Sequence, residues 1–293
     1  MDDLLRVHSA QHIARVDRSA TEGGGWLDGD TMTSPGSYEA AIYAAGGLAR
    51  AVEEVIKGDV ESAFALVRPP GHHATRTDAM GFCLFNNVAI AARVAVQRLG
   101  LERVLIVDFD VHHGNGTQDI FYGDGHVLYI STHQYPLYPG TGRVEETGMG
   151  AGLDHMMNIP LPPWSGDREY LLAFEQIIVP AARRFQPQII LVSAGYDAHW
   201  ADNISSMQVT VGGYARMVTI LKHLATELCQ GHIVFALEGG YHLQALAHSV
   251  KATIEVLLGL PAGADDPLGP PPHGGGTTDI GPLLQRIKDT HGL

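Results

Sequence analysis

The sequence has little cysteine and no long apolar run, and both shortages limit what the protein can be. Its 293 residues include only two cysteines, Cys83 and Cys229. Two cysteines provide no disulfide framework, which predicts a reducing, cytoplasmic environment. No apolar stretch reaches the length of a signal peptide or a membrane span, so we expect no membrane association.

Positive charge is also scarce. The chain has 19 Lys and Arg against 32 Asp and Glu, a formal net charge of −13. This balance argues against direct binding of nucleic acid, whereas it would help to attract a cationic substrate. The sequence lacks a GxxxxGK[ST] phosphate loop, and its glycine turns at 23–25 and 239–240 stand outside a G-x-G-x-x-G context. Nucleotide binding therefore has little support.

Apolar strands alternate with helices along the chain. The predicted strands are 63–67, 104–108, 127–131, 156–159, 189–193 and 233–237. The predicted helices are 35–57, 87–99, 167–185, 213–229 and 243–258, with Asp167 as the N-cap of the third. This order predicts a three-layer α/β/α fold with a mainly parallel sheet of about six strands, formed by one domain over residues 1–260. Residues 261–293 are expected to form a Gly/Pro-rich, partly loose tail with a short helix at 280–287.

The segment Asp108-Phe109-Asp110-Val111-His112 closes the apolar run at 104–107. Strand residues alternate between faces, so Asp108, Asp110 and His112 project from one side as the strand runs out. Two carboxylates and an imidazole are costly to bury unless a cation or protons neutralise them. The pattern therefore indicates a divalent metal at the carboxyl edge of the sheet.

Three more predicted strands end in residues that can do chemistry. His72 and His73 follow strand 63–67, Asp197 follows strand 189–193, and Tyr241 follows strand 233–237. Ligands of open α/β sheets bind outside the carboxyl ends of the strands, so these side chains are expected to meet.

Asp110, His112 and Asp197 are the candidate metal ligands. Three protein ligands leave a position open, as in catalytic zinc sites. A metal there would lower the pKa of a bound water towards about 7 and polarise a carbonyl group. One His with two Asp is a relatively hard ligand set, so Fe(II) or Co(II) could replace zinc.

Hydrolysis also needs groups that move protons and stabilise the oxyanion. The adjacent imidazoles of His72 and His73 can act as base and acid, and Asp108 can orient one of them. Tyr241 follows two glycines that allow a sharp turn, and its hydroxyl could donate to the oxyanion.

Six motifs together resemble the arginase/deacetylase superfamily, and within it the histone deacetylase and acetylpolyamine amidohydrolase family. The similarity runs from about Leu5 to Leu260. The motifs are Arg68-Pro-Pro-Gly-His-His, Gly81-Phe-Cys-Leu-Phe-Asn-Asn, Asp108-Phe-Asp-Val-His-His-Gly-Asn-Gly-Thr-Gln, Tyr138-Pro-Gly-Thr-Gly, Ser193-Ala-Gly-Tyr-Asp and Glu238-Gly-Gly-Tyr.

The resemblance implies the same metal ligands, His72 and His73 as the tandem acid/base pair, and Tyr241 as the oxyanion donor. It places Asp108 behind His72 and Asn115 behind His73, the latter as in the class II-like branch. It further implies an acyl-lysine tunnel and an inner monovalent-cation site, which could hold K⁺. The implied tunnel residues are Gly81, Phe82, Tyr138, Asp30 and Ile204, and the implied cation-site residues are Asp108, Asp110, His112 and Ser131.

One departure from the family concerns the start of the sheet. Members of the family have eight strands and an early His-Pro-Glu loop, and this sequence has no counterpart to the first two strands or to that loop. Strand 63–67 would then lie at the edge of a six-stranded sheet. It is continuously apolar, so we expect a partner subunit, the C-terminal tail or an upstream segment to cover it.

The resulting functional prediction is a zinc-dependent amidohydrolase that removes acyl groups, chiefly acetyl, from lysine-type amines. An acetylpolyamine deacetylase is the alternative within the family, although polyamine-selective relatives carry Glu where Ile204 aligns. A two-manganese ureohydrolase is disfavoured because such sites need further bridging carboxylates and lack an equivalent of Tyr241. A truncated, inactive binding or scaffold member of the fold is the remaining alternative.

Overall fold

The computed structural model describes residues 1–262, 266–272, 274, 276 and 278–293, and a parallel six-stranded sheet organises them. A separate antiparallel hairpin, β1 and β2, precedes that sheet. The strands are β1 (Gly25–Trp26), β2 (Met32–Thr33), β3 (Ser62–Ala65), β4 (Val104–Asp108), β5 (Val127–Gln134), β6 (Met156–Leu161), β7 (Ile189–Ala194) and β8 (Ile233–Leu237). The order across the main sheet is β3-β8-β7-β4-β5-β6.

Helices cover both faces of this sheet. They are α1 (Asp2–Leu5), α2 (Ala10–Thr21), α3 (Ser37–Lys57), α4 (Asn87–Gln97), α5 (Asn115–Phe121), α6 (Asp167–Ala173), α7 (Val179–Phe185), α8 (Val211–Leu228), α9 (Leu243–Leu257) and α10 (Gly281–His291). A π-helical turn, Phe174–Ile178, joins α6 to α7. Within the described residues, we find no helix that combines the length and the apolar character needed to cross a membrane.

The core consists of two apolar layers, one on each face of the sheet. Along β4, Val104 and Ile106 belong to the layer that contains buried residues of α1 to α5, while Leu105 and Val107 belong to the layer that contains α6 to α10. This alternation follows from the two-residue repeat of a strand. Because both faces are covered, the central strands β4, β7 and β8 are mainly apolar, as expected of a parallel sheet. The predicted three-layer α/β/α fold with a six-stranded parallel sheet is confirmed.

Three local predictions need correction. The first sheet strand ends at Ala65, two residues before the predicted end. The helix predicted over 167–185 is interrupted by the π-helical turn, and its N-cap is Gly166. Asp167 is not the cap because its carboxylate accepts hydrogen bonds from the backbone N–H and hydroxyl of Thr210, while the Glu169 side chain accepts the N–H of Gly166.

The C-terminal helix α10 belongs to the main core. Ile280, Leu284 and Ile287 are buried in the layer that contains α6 to α9, and α10 packs against β6 and the π-helical turn. The predicted short helix is therefore present and extends to His291. Residues 263–265, 273, 275 and 277 of the predicted tail lie outside the described residues.

Strand β3 lies at the edge of the sheet, as predicted, and β8 is its partner there. Its Phe64 side chain is half-buried and contacts the rings of Tyr196 and Phe235. Leu66, directly after the strand, is 56% exposed. No other described strand pairs with the outer edge of β3.

Candidate active site

The carboxyl ends of β4 and β7 lie side by side in the sheet, and the segments that follow them carry the predicted metal ligands. Asp108 pairs in register with Ser193 across β4 and β7, which places the segments that follow these two strands next to each other. Asp110 and His112 leave β4, and Asp197 leaves β7. The backbone N–H of Val111 donates to Oδ1 of Asp197, which joins the two segments.

Asp110, His112 and Asp197 form a buried three-residue group able to hold a metal ion. One ligand atom from each lies within 4.8 Å of the other two. Nδ1 of His112 lies 3.1 Å from Oδ1 of Asp110 and 3.2 Å from Oδ2 of Asp197. These residues are brought together as the sequence predicted.

The charges of this group fit a cation. Burial, and then the nearby charge of Asp110, raise the pKa of Asp197 to about 6. Burial alone would lower the pKa of His112, but its hydrogen bond to Asp110 and the two carboxylate charges outweigh burial and raise it to about 10. Oδ2 of Asp197 is buried without a hydrogen-bond partner. An orphaned buried oxygen beside a second carboxylate is the environment that a bound divalent ion would satisfy.

Two motif glycines lie so close to the carboxylates of Asp110 and Asp197 that no side chain would fit at either glycine. A Cβ atom on Gly195 would lie 2.0 Å from Oδ2 of Asp110, and one on Gly239 would lie 2.2 Å from Oδ2 of Asp197. The N–H of Gly239 donates to Oδ2 of Asp110 at 2.8 Å. The backbone therefore packs directly against both acidic ligands.

His72 has a charged partner. Its Nδ1 lies 3.1 Å from Oδ2 of Asp108, and the hydroxyl of Tyr129 donates to the same oxygen at 2.9 Å. Its Nε2 lies 3.8 Å from Oδ1 of Asp110. Burial lowers the pKa of His72, but the charges of Asp108 and Asp110 more than compensate and raise it to about 10.

His73 has a neutral partner. Its Nδ1 donates to Oδ1 of Asn115 at 2.8 Å, which leaves Nε2 free to accept a proton. Burial, and then the neighbouring His72, lower the pKa of His73 well below its usual value. The two imidazoles, with ring centres 4.0 Å apart, are thus shifted in opposite directions.

Tyr241 approaches the group from β8. The backbone N–H groups of Tyr241 and His242 both donate to Oδ2 of Asp202, at 2.6 and 2.9 Å, which fixes the turn after Gly240. Burial raises the pKa of the Tyr241 phenol, and the carboxylates of Asp197 and Asp110 raise it further. Its hydroxyl stays protonated and can donate a hydrogen bond.

A narrow cavity of about 270 Å³ leads to these groups from the surface. The five predicted tunnel residues all line it: Asp30, Gly81, Phe82, Tyr138 and Ile204. Within it, the ring of Phe82 lies 6.0 Å from that of Tyr241, and the ring of Tyr138 lies 5.2 Å from that of His73. Oδ1 of Asp30 accepts the N–H of Gly81 and so joins the β1–β2 hairpin loop to this wall.

The residues of the predicted monovalent-cation site are also neighbours. Asp108 and Ser131 face each other across β4 and β5, and the N–H of Asp110 donates to Oδ1 of Asp108. The hydroxyl of Ser131 bonds to Nδ1 of His133. Potassium binding by this group stays a prediction.

Sequence reasoning missed three supporting residues: Tyr129, Asp202 and Glu238. Oε2 of Glu238 accepts the N–H groups of Gly71 and His72, and Oε1 accepts the Ser193 hydroxyl. Burial raises the pKa of this carboxyl to about 7. The position of Glu238 in the Glu238-Gly-Gly-Tyr motif is the one feature of the sequence that indicates its role. Tyr129 lies in an apolar strand, and nothing in the sequence indicates its role.

Residues 1–257 match the model of the histone deacetylase domain. The chain is also similar to the solved structure of an HDA15 HD domain, with a TM-score of 0.87 and 38% identity, over 99% of this chain and 79% of that one.

Named relatives come from plants, archaea and bacteria. "Histone deacetylase 10, chloroplastic" of Oryza sativa is 44% identical over 91% of this chain, and a probable deacetylase of Archaeoglobus fulgidus is 44% identical over 88%. A histone deacetylase-like amidohydrolase of Pseudomonas aeruginosa is 40% identical over 91%. The chain spans 63%, 72% and 70% of the lengths of these three proteins.

Proposed function

Because the chain belongs to the histone deacetylase family of hydrolases, we propose that it hydrolyses the amide bond of an N-acetylated lysine-type amine. The observation that supports this proposal most is that a candidate metal ligand and the candidate catalytic side chains line the same cavity. There, His112 of the metal-binding group and the pair His72 and His73 line the same tunnel as Tyr241.

Asp110, His112 and Asp197 are the residues that would hold the metal. A divalent ion held there would polarise the substrate carbonyl and make water more acidic. Both carboxylates are buried, and Oδ2 of Asp197 has no hydrogen-bond partner. The donor set of two carboxylates and one imidazole therefore suits zinc, Fe(II) or Co(II).

The two histidines divide the proton transfers according to their partners. His73 is neutral, donates at Nδ1 to Asn115, and accepts the proton of the attacking water at Nε2. His72 is held protonated between Asp108 and Asp110 and adds positive charge beside the reacting carbonyl. The proton taken by His73 then passes to the leaving amine.

Tyr241 stabilises the oxyanion of the tetrahedral intermediate. Its hydroxyl is protonated, and its side chain lines the same cavity as the histidine pair. Asp202 holds the backbone of Tyr241, which limits the reorganisation that the donor needs when negative charge develops on the carbonyl oxygen.

The cavity suits the unbranched stem of a lysine. The aromatic side chains of Phe82 and Tyr138 line it, and Ile204 adds an apolar side chain where a second amine of a polyamine would need a carboxylate. Asp30 at the cavity wall can accept a hydrogen bond from the substrate backbone. These features favour an acyl-lysine peptide over an acetylpolyamine.

A substrate panel tests the proposal. The purified chain, loaded with zinc, Fe(II) or Co(II), is assayed on acetyl-lysine peptides, longer acyl-lysine peptides and acetylated polyamines. We expect hydrolysis of acetyl-lysine peptides with the highest kcat/KM. Absence of amide hydrolysis on the whole panel, from a folded and metal-loaded protein, would overturn it.

A further inference from the structure

The carboxylate of Asp266, in the C-terminal segment, contacts the loop of residues 198–206. We call this loop the tunnel-mouth loop because its Ile204 lines the cavity. Asp266, whose side chain is 5% exposed, accepts three hydrogen bonds at Oδ2. The donors are Nε2 of His199 at 2.8 Å, Nε1 of Trp200 at 3.3 Å and the backbone N–H of Val211 at 3.1 Å. One oxygen of a distant segment therefore ties two loop side chains to the start of α8.

Oδ2 of Asp266 acts only as an acceptor in this arrangement. Nδ1 of His199 accepts the N–H of Ala201, so its Nε2 carries the hydrogen that is given to Asp266. All three groups around Oδ2 are then donors. The side chain of His199 is fully buried, so no solvent replaces this acceptor if it is removed.

The loop held in this way, residues 198–206, determines where Tyr241 stands. The N–H of Asp202 donates to the carbonyl of His199. Asp202 in turn accepts the backbone N–H groups of Tyr241 and His242, and the N–H of Ile204 through its other oxygen. A continuous set of hydrogen bonds thus runs from Asp266 through His199 and Asp202 to Tyr241.

We propose that Asp266 is a positioning residue for the Tyr241 hydroxyl. It holds the 198–206 loop at the distance from which Asp202 fixes the turn after β8. The inference rests on the proposed function, because it assumes that the Tyr241 hydroxyl acts on the oxyanion. Loss of the anchor displaces a donor that works only in the transition state, so kcat falls more than KM rises.

A double-mutant cycle tests this proposal. The variants are Asp266→Ala, Tyr241→Phe and the pair, assayed as zinc-loaded protein on an acetyl-lysine peptide. We expect Asp266→Ala alone to lower kcat by about tenfold or more. In the Tyr241→Phe background, which has no hydroxyl to misplace, the same change should lower kcat less than about twofold.

Hydrogen exchange gives a readout that does not depend on activity. In Asp266→Ala, the amides of Tyr241 and His242 should exchange faster, whereas those of β4 should not change. Asp279→Ala is the matched control, since Asp279 also lies in the C-terminal segment and accepts the N–H of Gly281. If Asp266→Ala does not fold, Asp266→Asn is used, because it keeps the volume but turns an amide towards the three donors.

The outcomes separate the two proposals. Equal losses from Asp266→Ala in both backgrounds, or no change in kcat and in the exchange of Tyr241, would overturn the positioning role. Full activity in Tyr241→Phe alone would instead overturn the oxyanion role in the proposed function.

Discussion

Asn115 accepts a hydrogen bond at Oδ1 from Nδ1 of His73, 2.8 Å away, where the adjacent His72 has the carboxylate of Asp108 as its partner. The difference of one charge between these partners accounts for much of the contrast between the imidazoles. Burial lowers the pKa of His73, while the charge of Asp108 helps to raise the pKa of His72 to about 10. Two neighbouring residues of one type thereby acquire different proton-transfer roles.

Replacing the neutral partner of His73 by a charged one should shift the pH dependence of catalysis. In Asn115→Asp the new carboxylate favours the protonated form of His73 and raises its pKa. Less of the neutral base is then present at a given pH, so the acid limb of the kcat/KM profile should move to higher pH. The measurement is the full pH–rate profile of both proteins.

Asn203→Asp is the matched control for this experiment. Asn203 is exposed on the tunnel-mouth loop, so it adds the same charge without contacting His73. An acid limb that stays in place in Asn115→Asp, or that moves equally in the control, would mean that His73 is not the base.

Removing one oxygen from Tyr241 should affect turnover far more than binding. Tyr241→Phe keeps the ring that faces Phe82 but removes the donor, so kcat should fall by about 10²–10³ while KM changes little. Tyr43→Phe, at an exposed tyrosine of α3, serves as the control. If kcat of Tyr241→Phe stays within about threefold of the parent, Tyr241 is a packing residue.

The buried His8 should make stability depend on pH. Burial, and then the positive charge of His12, lower the pKa of His8 from 6.5 to about 3. The unfolded chain therefore binds more protons than the folded one between those values, and stability falls as the pH drops below 6.5. Each pH unit in this window costs about 1.4 kcal/mol.

His8→Asn removes that titration together with the hydrogen bonds of His8 to Thr75 and Asn86. It should be less stable than the parent at pH 7, and this difference should shrink by about 2 kcal/mol at pH 5. Urea unfolding at both pH values measures it, with the exposed His223→Asn as control. A difference that does not change with pH would show that His8 is not buried as a neutral group.

The open edge of β3 should promote association. The strand contains no Lys, Pro or inward charge to prevent pairing, and Leu66 beside it is exposed. We expect another polypeptide, first of all a second copy of the chain, to cover this edge, so that Leu66→Lys weakens association and Met149→Lys does not. Light scattering and hydrogen exchange test this expectation, and a monomer whose amides at 62–65 exchange freely would contradict it.

The sequence allowed the sheet and the meeting of its strand ends to be predicted because both follow from simple patterns. Apolar runs of four or five residues indicate most of the strands, and parallel strands bring the residues after them to one edge. The predicted ligands Asp110 and Asp197, far apart in the chain, lie together for that reason.

The parts that could not be predicted depend on tertiary contacts. The β1–β2 hairpin is two residues long on each side, too short to show a period. Asp167 has the residue type of an N-cap, but contacts with Thr210 and Arg216 engage its carboxylate instead. The role of Asp266 arises from a segment that composition alone describes as a tail.

Amide hydrolysis should depend on a divalent metal held by Asp110, His112 and Asp197. The most direct test of this dependence is the metal content per chain of the parent and of Asp110→Asn, measured after dialysis together with hydrolysis of an acetyl-lysine peptide. Asp59→Asn, at an exposed aspartate, is the control. We predict one metal ion per chain and full turnover in the parent and the control, and loss of both in Asp110→Asn, although that variant remains folded. An Asp110→Asn protein that retains its metal and its activity would show that these three residues do not hold a catalytic metal.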